Sequence, residues 1–133
     1  MNFKFDQLRT LAAERLPDAF APEGNASFAL ALDGFALRFA SVPGELALAI
    51  VRAKVVDLAD VPRAGDFAKA ALAANFFWGG TRGATLSVCE DGGLYITERR
   101  FADELADADG MESCVDDFTE TATDWRERSE LYA

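Results

Sequence analysis

Apolar residues recur at helical spacing from Phe3 to Leu16, where Phe5, Leu8, Leu11, Ala12 and Leu16 form one stripe. Pro17 marks the expected end of that helix, and Pro22, Glu23, Gly24 and Asn25 read as a loop. The period then changes to two. Phe28, Leu30 and Leu32 alternate with small residues, Asp33-Gly34 follows, and Phe35, Leu37 and Phe39 alternate again. Asp-Gly between two such runs predicts a two-residue hairpin, which fixes the register: Leu32 opposite Phe35, Leu30 opposite Leu37, Phe28 opposite Phe39. The six large side chains then share one face, and Ser27, Ala29, Ala31, Ala36, Arg38 and Ala40 share the other.

Pro43-Gly44 is expected to turn the chain into a third strand, Glu45 to Val56. There Leu46, Leu48 and Ile50 alternate with Ala47, Ala49 and Val51, continuing a meander with a bulky face and an alanine-rich face. Pro62 and Gly65 close a linker, and Asp66 is a suitable N-cap for a second helix, Phe67 to Trp78, stopped by Gly79-Gly80. After the cap only Lys69 and Asn75 are strongly polar in it. A helix that is apolar nearly all round must be buried, and in a small domain a second subunit is an economical cover. Strands at Ala84 to Cys89 and Gly93 to Arg99 make a second hairpin. From Ala102 to Tyr132 a third helical region follows, broken near Gly110, with Met111, Cys114, Phe118, Ala122 and Trp125 as its apolar stripe.

The predicted order is α-β-β-β-α-β-β-α: an α+β fold with one twisted antiparallel sheet and helices packed on it. At 133 residues, half of them hydrophobic, the chain suits a single domain over 1–133 with a real core.

Charge and composition narrow the function. Acids outnumber bases 23 to 13, a net charge of −10 that argues against nucleic acid as a partner. The excess is local, because residues 101–133 hold 11 acids against only Arg126 and Arg128. The chain has no histidine, which removes the usual general base and the commonest metal ligand. Asp116, Glu120 and Asp124 recur every fourth residue and read as a solvated helix face rather than a metal site. Asp107-Ala108-Asp109-Gly110 lacks the ligand spacing of a calcium loop. Gly79, Gly80 and Gly83 follow a helix, whereas a phosphate cradle precedes one. Cys89, expected on a strand, and Cys114, expected to be buried, form no CxxC pair and suit a reducing compartment. Lys4, Asp6 and Arg9 interrupt any signal-peptide core, and the longest apolar run, Leu46 to Val51, falls far short of the ~20 residues of a membrane span. The expectation is a cytoplasmic protein without catalytic residues, metal or cofactor and without membrane insertion.

The stretch Leu72-Ala73-Ala74-Asn75-Phe76-Phe77-Trp78-Gly79-Gly80-Thr81-Arg82-Gly83-Ala84-Thr85-Leu86, with Gly93-Leu94-Tyr95-Ile96 and then Phe118, Ala122 and Trp125, resembles the class I chaperones of type III secretion, the Tir-chaperone (CesT-like) family. The resemblance spans essentially the whole chain. It implies a homodimeric, ATP-independent chaperone of the bacterial cytoplasm that holds the amino-terminal segment of a secreted effector extended and export-competent, with the secretion machinery as a further partner. It places the dimer contact at Phe67, Ala71, Phe76, Phe77, Trp78, Ala84, Leu86 and Val88. It places effector binding at Leu8, Leu11, Ala29, Ala31, Ala36, Leu48 and Ile50. The alternative is a chaperone-fold regulatory or scaffold protein with no secreted client. A small enzyme or ligand-binding domain using the carboxylates is a third reading, which a thermal shift with divalent cations would detect.

Overall fold

The computed structural model describes residues 3–24, 26–42, 45–76 and 79–133. Helix α1, Phe3–Arg15, turns Phe5, Leu8 and Ala12 into the core, with Leu11 and Leu16 partly buried at its margin. Past Pro17 the chain forms a short strand that the sequence pattern did not signal, β1, Phe20–Pro22. It lies at the sheet margin, where a proline without an N–H is tolerated.

The first hairpin forms as its sequence predicts. Strands β2, Ser27–Leu32, and β3, Phe35–Val42, pair in the expected register. Asp33 and Gly34 both adopt positive φ, 53° and 82°, the geometry that matches a two-residue turn to twisted strands. The Phe28 and Phe39 rings stack at 4.9 Å, with Phe5 and Phe20 at 5.6 and 5.5 Å from Phe28. This aromatic cluster fastens α1 and β1 to the hairpin.

Strand β4, Glu45–Asp57, departs from the expected pattern. Its core face is Ala49, Val51, Ala53 and Val55, all buried. Leu48 and Ile50 fall on the other face, beside the alanines of the hairpin, because Phe39 pairs with Val51 and Ala40 with Ile50. A register shift between Ser41 and Val42 lies at this junction, and one displaced residue exchanges the faces of a strand. Pro43 and Gly44, the expected turn, lie outside the described residues.

Helix α2 runs Ala64–Ala74, beginning before Asp66, which sits in its first turn. Strands β5, Thr85–Val88, and β6, Gly93–Phe101, form the second hairpin, and Cys89 falls just beyond β5 in the turn. The sheet is six-stranded and antiparallel, in the order β1-β2-β3-β4-β6-β5. A short helix α3, Ala102–Leu105, precedes the long α4, Ala108–Ser129. The break comes just before Gly110, at Asp107, whose carboxylate accepts a hydrogen bond from Gly110 N–H at 2.8 Å and caps α4. Gly110 is needed because a Cβ there would collide with the carbonyl oxygen of Glu104 in α3.

One face of the sheet carries the core. Met111, Cys114, Phe118, Ala122 and Trp125 of α4 are all buried with it, as their spacing predicts. Trp125 Nε1 donates to Gly80 O at 3.0 Å, and Arg126 donates to the Val55, Gly34 and Lys54 carbonyls at 2.7, 3.1 and 3.3 Å. The Arg126 guanidinium also lies 3.8 Å from the centre of the Phe35 ring. One side chain thereby ties α4 to the hairpin turn and to β4.

Candidate functional site

The helices cover one face of the sheet and leave the other open. Alternation assigns Ala29 and Ala31 of β2, Ala36, Arg38 and Ala40 of β3, and Leu48, Ile50, Arg52 and Lys54 of β4 to the open face. Pairing of β4 with β6 adds Tyr95, Thr97, Arg99 and Phe101, and β5 adds Thr85 and Ser87. Five of the seven proposed effector-binding residues therefore share this surface: Ala29, Ala31, Ala36, Leu48 and Ile50. Ala29 is the best screened of them, while Leu48 and Ile50 are half-buried. Leu8 lies in the core on the opposite side, and Leu11 borders a shallow depression against Ala106 on the outer flank of α1.

A groove of about 860 Å³ crosses the open face between Leu48, Ile50, Thr85, Thr97 and Phe101, with the charged Glu98, Arg99 and Arg100 also on its border. Phe101 is 53% exposed, an apolar wall that the sequence reading missed because it ended this strand at Arg99. The apolar alternation of β6 lapses after Ile96, at Glu98 and Arg100, so the pattern alone did not carry the strand on to Phe101.

The end of this face near the second hairpin is polar and tightly bonded. Lys54 Nζ lies 3.0 Å from Asp57 and 3.1 Å from Asp91, and the Tyr95 hydroxyl donates to Asp91 at 2.6 Å. The Tyr95 hydroxyl, the Gly93 N–H and the Lys54 ammonium hold the Asp91 carboxyl at about 2. The Asp57 and Asp91 carboxylates raise the Lys54 pKa above the usual lysine value, and the hydrogen bond to Asp91 raises that of Tyr95. The Arg52 guanidinium packs over the Tyr95 ring at 5.6 Å.

A second apolar surface involves α2 and β5. Phe76 is 75% exposed, Leu72 66% and Val88 53%. Of the proposed dimer residues, Phe67, Ala71, Ala84 and Leu86 are buried within the subunit, while Phe76 and Val88 face outward. Phe77 and Trp78 lie outside the described residues. Leu72 is the addition here, legible as one more apolar residue on a helix with little polar surface. Asn75 joins the two elements: its amide donates to Leu86 O at 2.8 Å and accepts from Leu86 N–H at 2.9 Å. That pairing imitates a neighbouring strand and occupies the outer edge of β5 at Leu86.

The helical side offers little for catalysis. Burial pushes the Cys114 thiol up to about 11, away from the reactive thiolate. Burial also raises Glu98, against the opposing pull of Arg100 at 3.6 Å. Among the described residues no cluster of three or more acidic or cysteine side chains could hold a metal ion, and no helix is long and apolar enough to cross a membrane.

The sequence profile of the Tir chaperone protein (CesT) family matches residues 18–126. The chain belongs to this family. Two solved structures share the CesT-family fold seen here. A chain in the crystal structure of the ExsC-ExsE complex superposes with a TM-score of 0.72 at 19% identity, covering 96% of both chains. The crystal structure of the Yersinia pestis type III secretion chaperone SycH in complex with a stable fragment of YscM2 gives a TM-score of 0.61 at 9% identity, covering 98% of this chain and 99% of the other. No curated protein sequence matches significantly.

Proposed function

We propose that this CesT-family protein is an ATP-independent cytoplasmic chaperone of type III secretion, acting as a homodimer. It binds the amino-terminal region of a secreted effector and keeps that region extended for export. The observation that carries the reading is an open sheet face with an apolar groove, on a fold shared with a type III secretion chaperone crystallised with a protein fragment. An extended chain lays apolar side chains into such a groove without having to fold. Because ordering the segment costs conformational entropy, a broad contact surface is needed to offset it.

The dimer is assigned to the α2 and β5 surface, where Leu72, Phe76 and Val88 are too large and exposed to be idle in a small acidic protein. The neutral, buried Cys114 and the absence of histidine fit a binding role better than an enzymatic one.

The test is affinity capture of the tagged protein from cells expressing the secretion system, read by mass spectrometry. One strongly enriched protein, retained through a fragment of its amino-terminal region and lost with a folded, dimeric Leu48→Asp variant, is the expected result. Absence of any enriched client would favour a scaffold or regulatory protein. Full retention by Leu48→Asp would move the binding site off the open face.

A further inference from the structure

The open face carries a charge pattern opposite to that of the whole chain. Its strand positions from β3 to β6 hold Arg38, Arg52, Lys54 and Arg99; its carboxylates are Asp57, opposite Gly93 at the end of β4, with Glu23 and Asp91 at its margins, and Glu98, 3.6 Å from Arg100, borders the groove. Lys54 is neutralised by Asp57 and Asp91, and Arg38 lies 3.6 Å from Glu23. Among the described residues no carboxylate pairs with Arg52 or Arg99. Their placement makes this costly. Arg52 stands directly opposite Arg38 across β3 and β4, and Arg99, opposite Ile50, is its diagonal neighbour across β4 and β6. Like charges opposite one another destabilise a sheet. In a chain with 23 acids and 13 bases, arginines so grouped create a local positive field that an anionic partner relieves.

Resting on the chaperone reading above, we infer that the open face selects client segments in which acidic residues flank the apolar ones. The apolar side chains occupy the groove at Leu48, Ile50 and Phe101, and the carboxylates meet Arg52 and Arg99. The apolar groove beside the arginines favours a protein segment over a polyanion such as nucleic acid, which the net charge of −10 repels.

The probes are three fluorescein-labelled peptides that share one set of leucines and differ only at the intervening positions, which are Glu, Ser or Lys. Anisotropy at low salt is expected to show the Glu peptide binding about tenfold tighter than the Lys peptide, with Ser between them. Added salt narrows that ratio. The double variant Arg52→Ser/Arg99→Ser, with unchanged circular dichroism, is expected to bring the ratio close to one while keeping the affinity of the Ser peptide.

A ratio unchanged in the double variant overturns the inference, as does preference for Lys. Equal binding of all three peptides removes the charge selection and leaves the chaperone reading standing. If none binds while the wild-type protein still retains its client in the capture experiment, the open face is not the site. Loss of the dimer in the double variant would assign the arginines to a contact between subunits. Tighter binding of an oligothymidine than of the Glu peptide would make nucleic acid the partner.

Discussion

Asn75 completes the outer edge of β5 with a single amide, so its removal leaves the Leu86 N–H and carbonyl without their partner. Asn75→Ala should cost about 2 kcal/mol, measured by urea denaturation, and should raise amide exchange in β5 before it does so in β4. Exchange rising equally everywhere would mean that the side chain acts on global stability alone. Two carboxyls give opposite signs of pH dependence. Burial lifts the folded-state pKa of Glu98, so its contribution favours folding below its ordinary value of 4.5 and is lost as pH rises. Asp91 is held down to about 2, so its contribution is present above its ordinary 3.8 and lost as pH falls toward 2. Thermal melts should therefore find Glu98→Gln more stable than wild type at pH 7, the gain fading by pH 4. Asp91→Asn should be less stable at pH 7, with its deficit fading only under strong acid. A Glu98→Gln variant that is less stable at pH 7 would mean that the Arg100 contact outweighs burial.

The elements of this protein differ in how openly the sequence declares them. The β2–β3 hairpin was legible to the residue because alternation, turn chemistry and core demand agree at Phe28, Asp33-Gly34 and Phe39. The stripe of α4 was legible for the same reason. Strand β1 was hidden, since three residues ending in proline carry no period and form only by pairing with β2. On β4 both alternating sets are apolar, so the sequence pattern cannot rank the faces. The register shift near Val42 decides, and it brings Leu48 and Ile50 to the alanine face, where the proposed client site lies. The same ambiguity at the other end concealed Phe101 and the arginine row, which become visible only once β3, β4 and β6 are aligned. The attachment of α4 rests on Arg126, a residue that looks like surface charge in the sequence. Arg126→Ala should cost about 2–3 kcal/mol, because three carbonyl contacts and the packing on Phe35 go together. A loss below about 0.5 kcal/mol in chemical denaturation would show that the helix is held by its apolar stripe alone.

Taken whole, the protein separates its charges. Acidic side chains crowd the carboxyl-terminal quarter, while Arg52 and Arg99, which pair with no carboxylate among the described residues, stand on the open sheet face. The acidic quarter keeps a molecule with large apolar surfaces soluble and discourages unspecific association. In the proposed function two apolar surfaces divide the labour: α2 with β5 for a second subunit, and the open face for a client. If so, Phe76→Glu with Val88→Glu should give a folded monomer in sedimentation equilibrium. A dimer that survives both changes would place the subunit contact elsewhere.

Hydroxyl-radical footprinting reads both surfaces at once. The free protein is compared with the protein loaded with the amino-terminal fragment of its captured client. Leu72, Phe76 and Val88 should be shielded in both samples at concentrations where the dimer forms. Leu48, Ile50 and Phe101 should react in the free protein and become shielded only when the fragment is bound. A bound fragment that leaves Leu48, Ile50 and Phe101 as reactive as before would contradict the assignment of client binding to the open face.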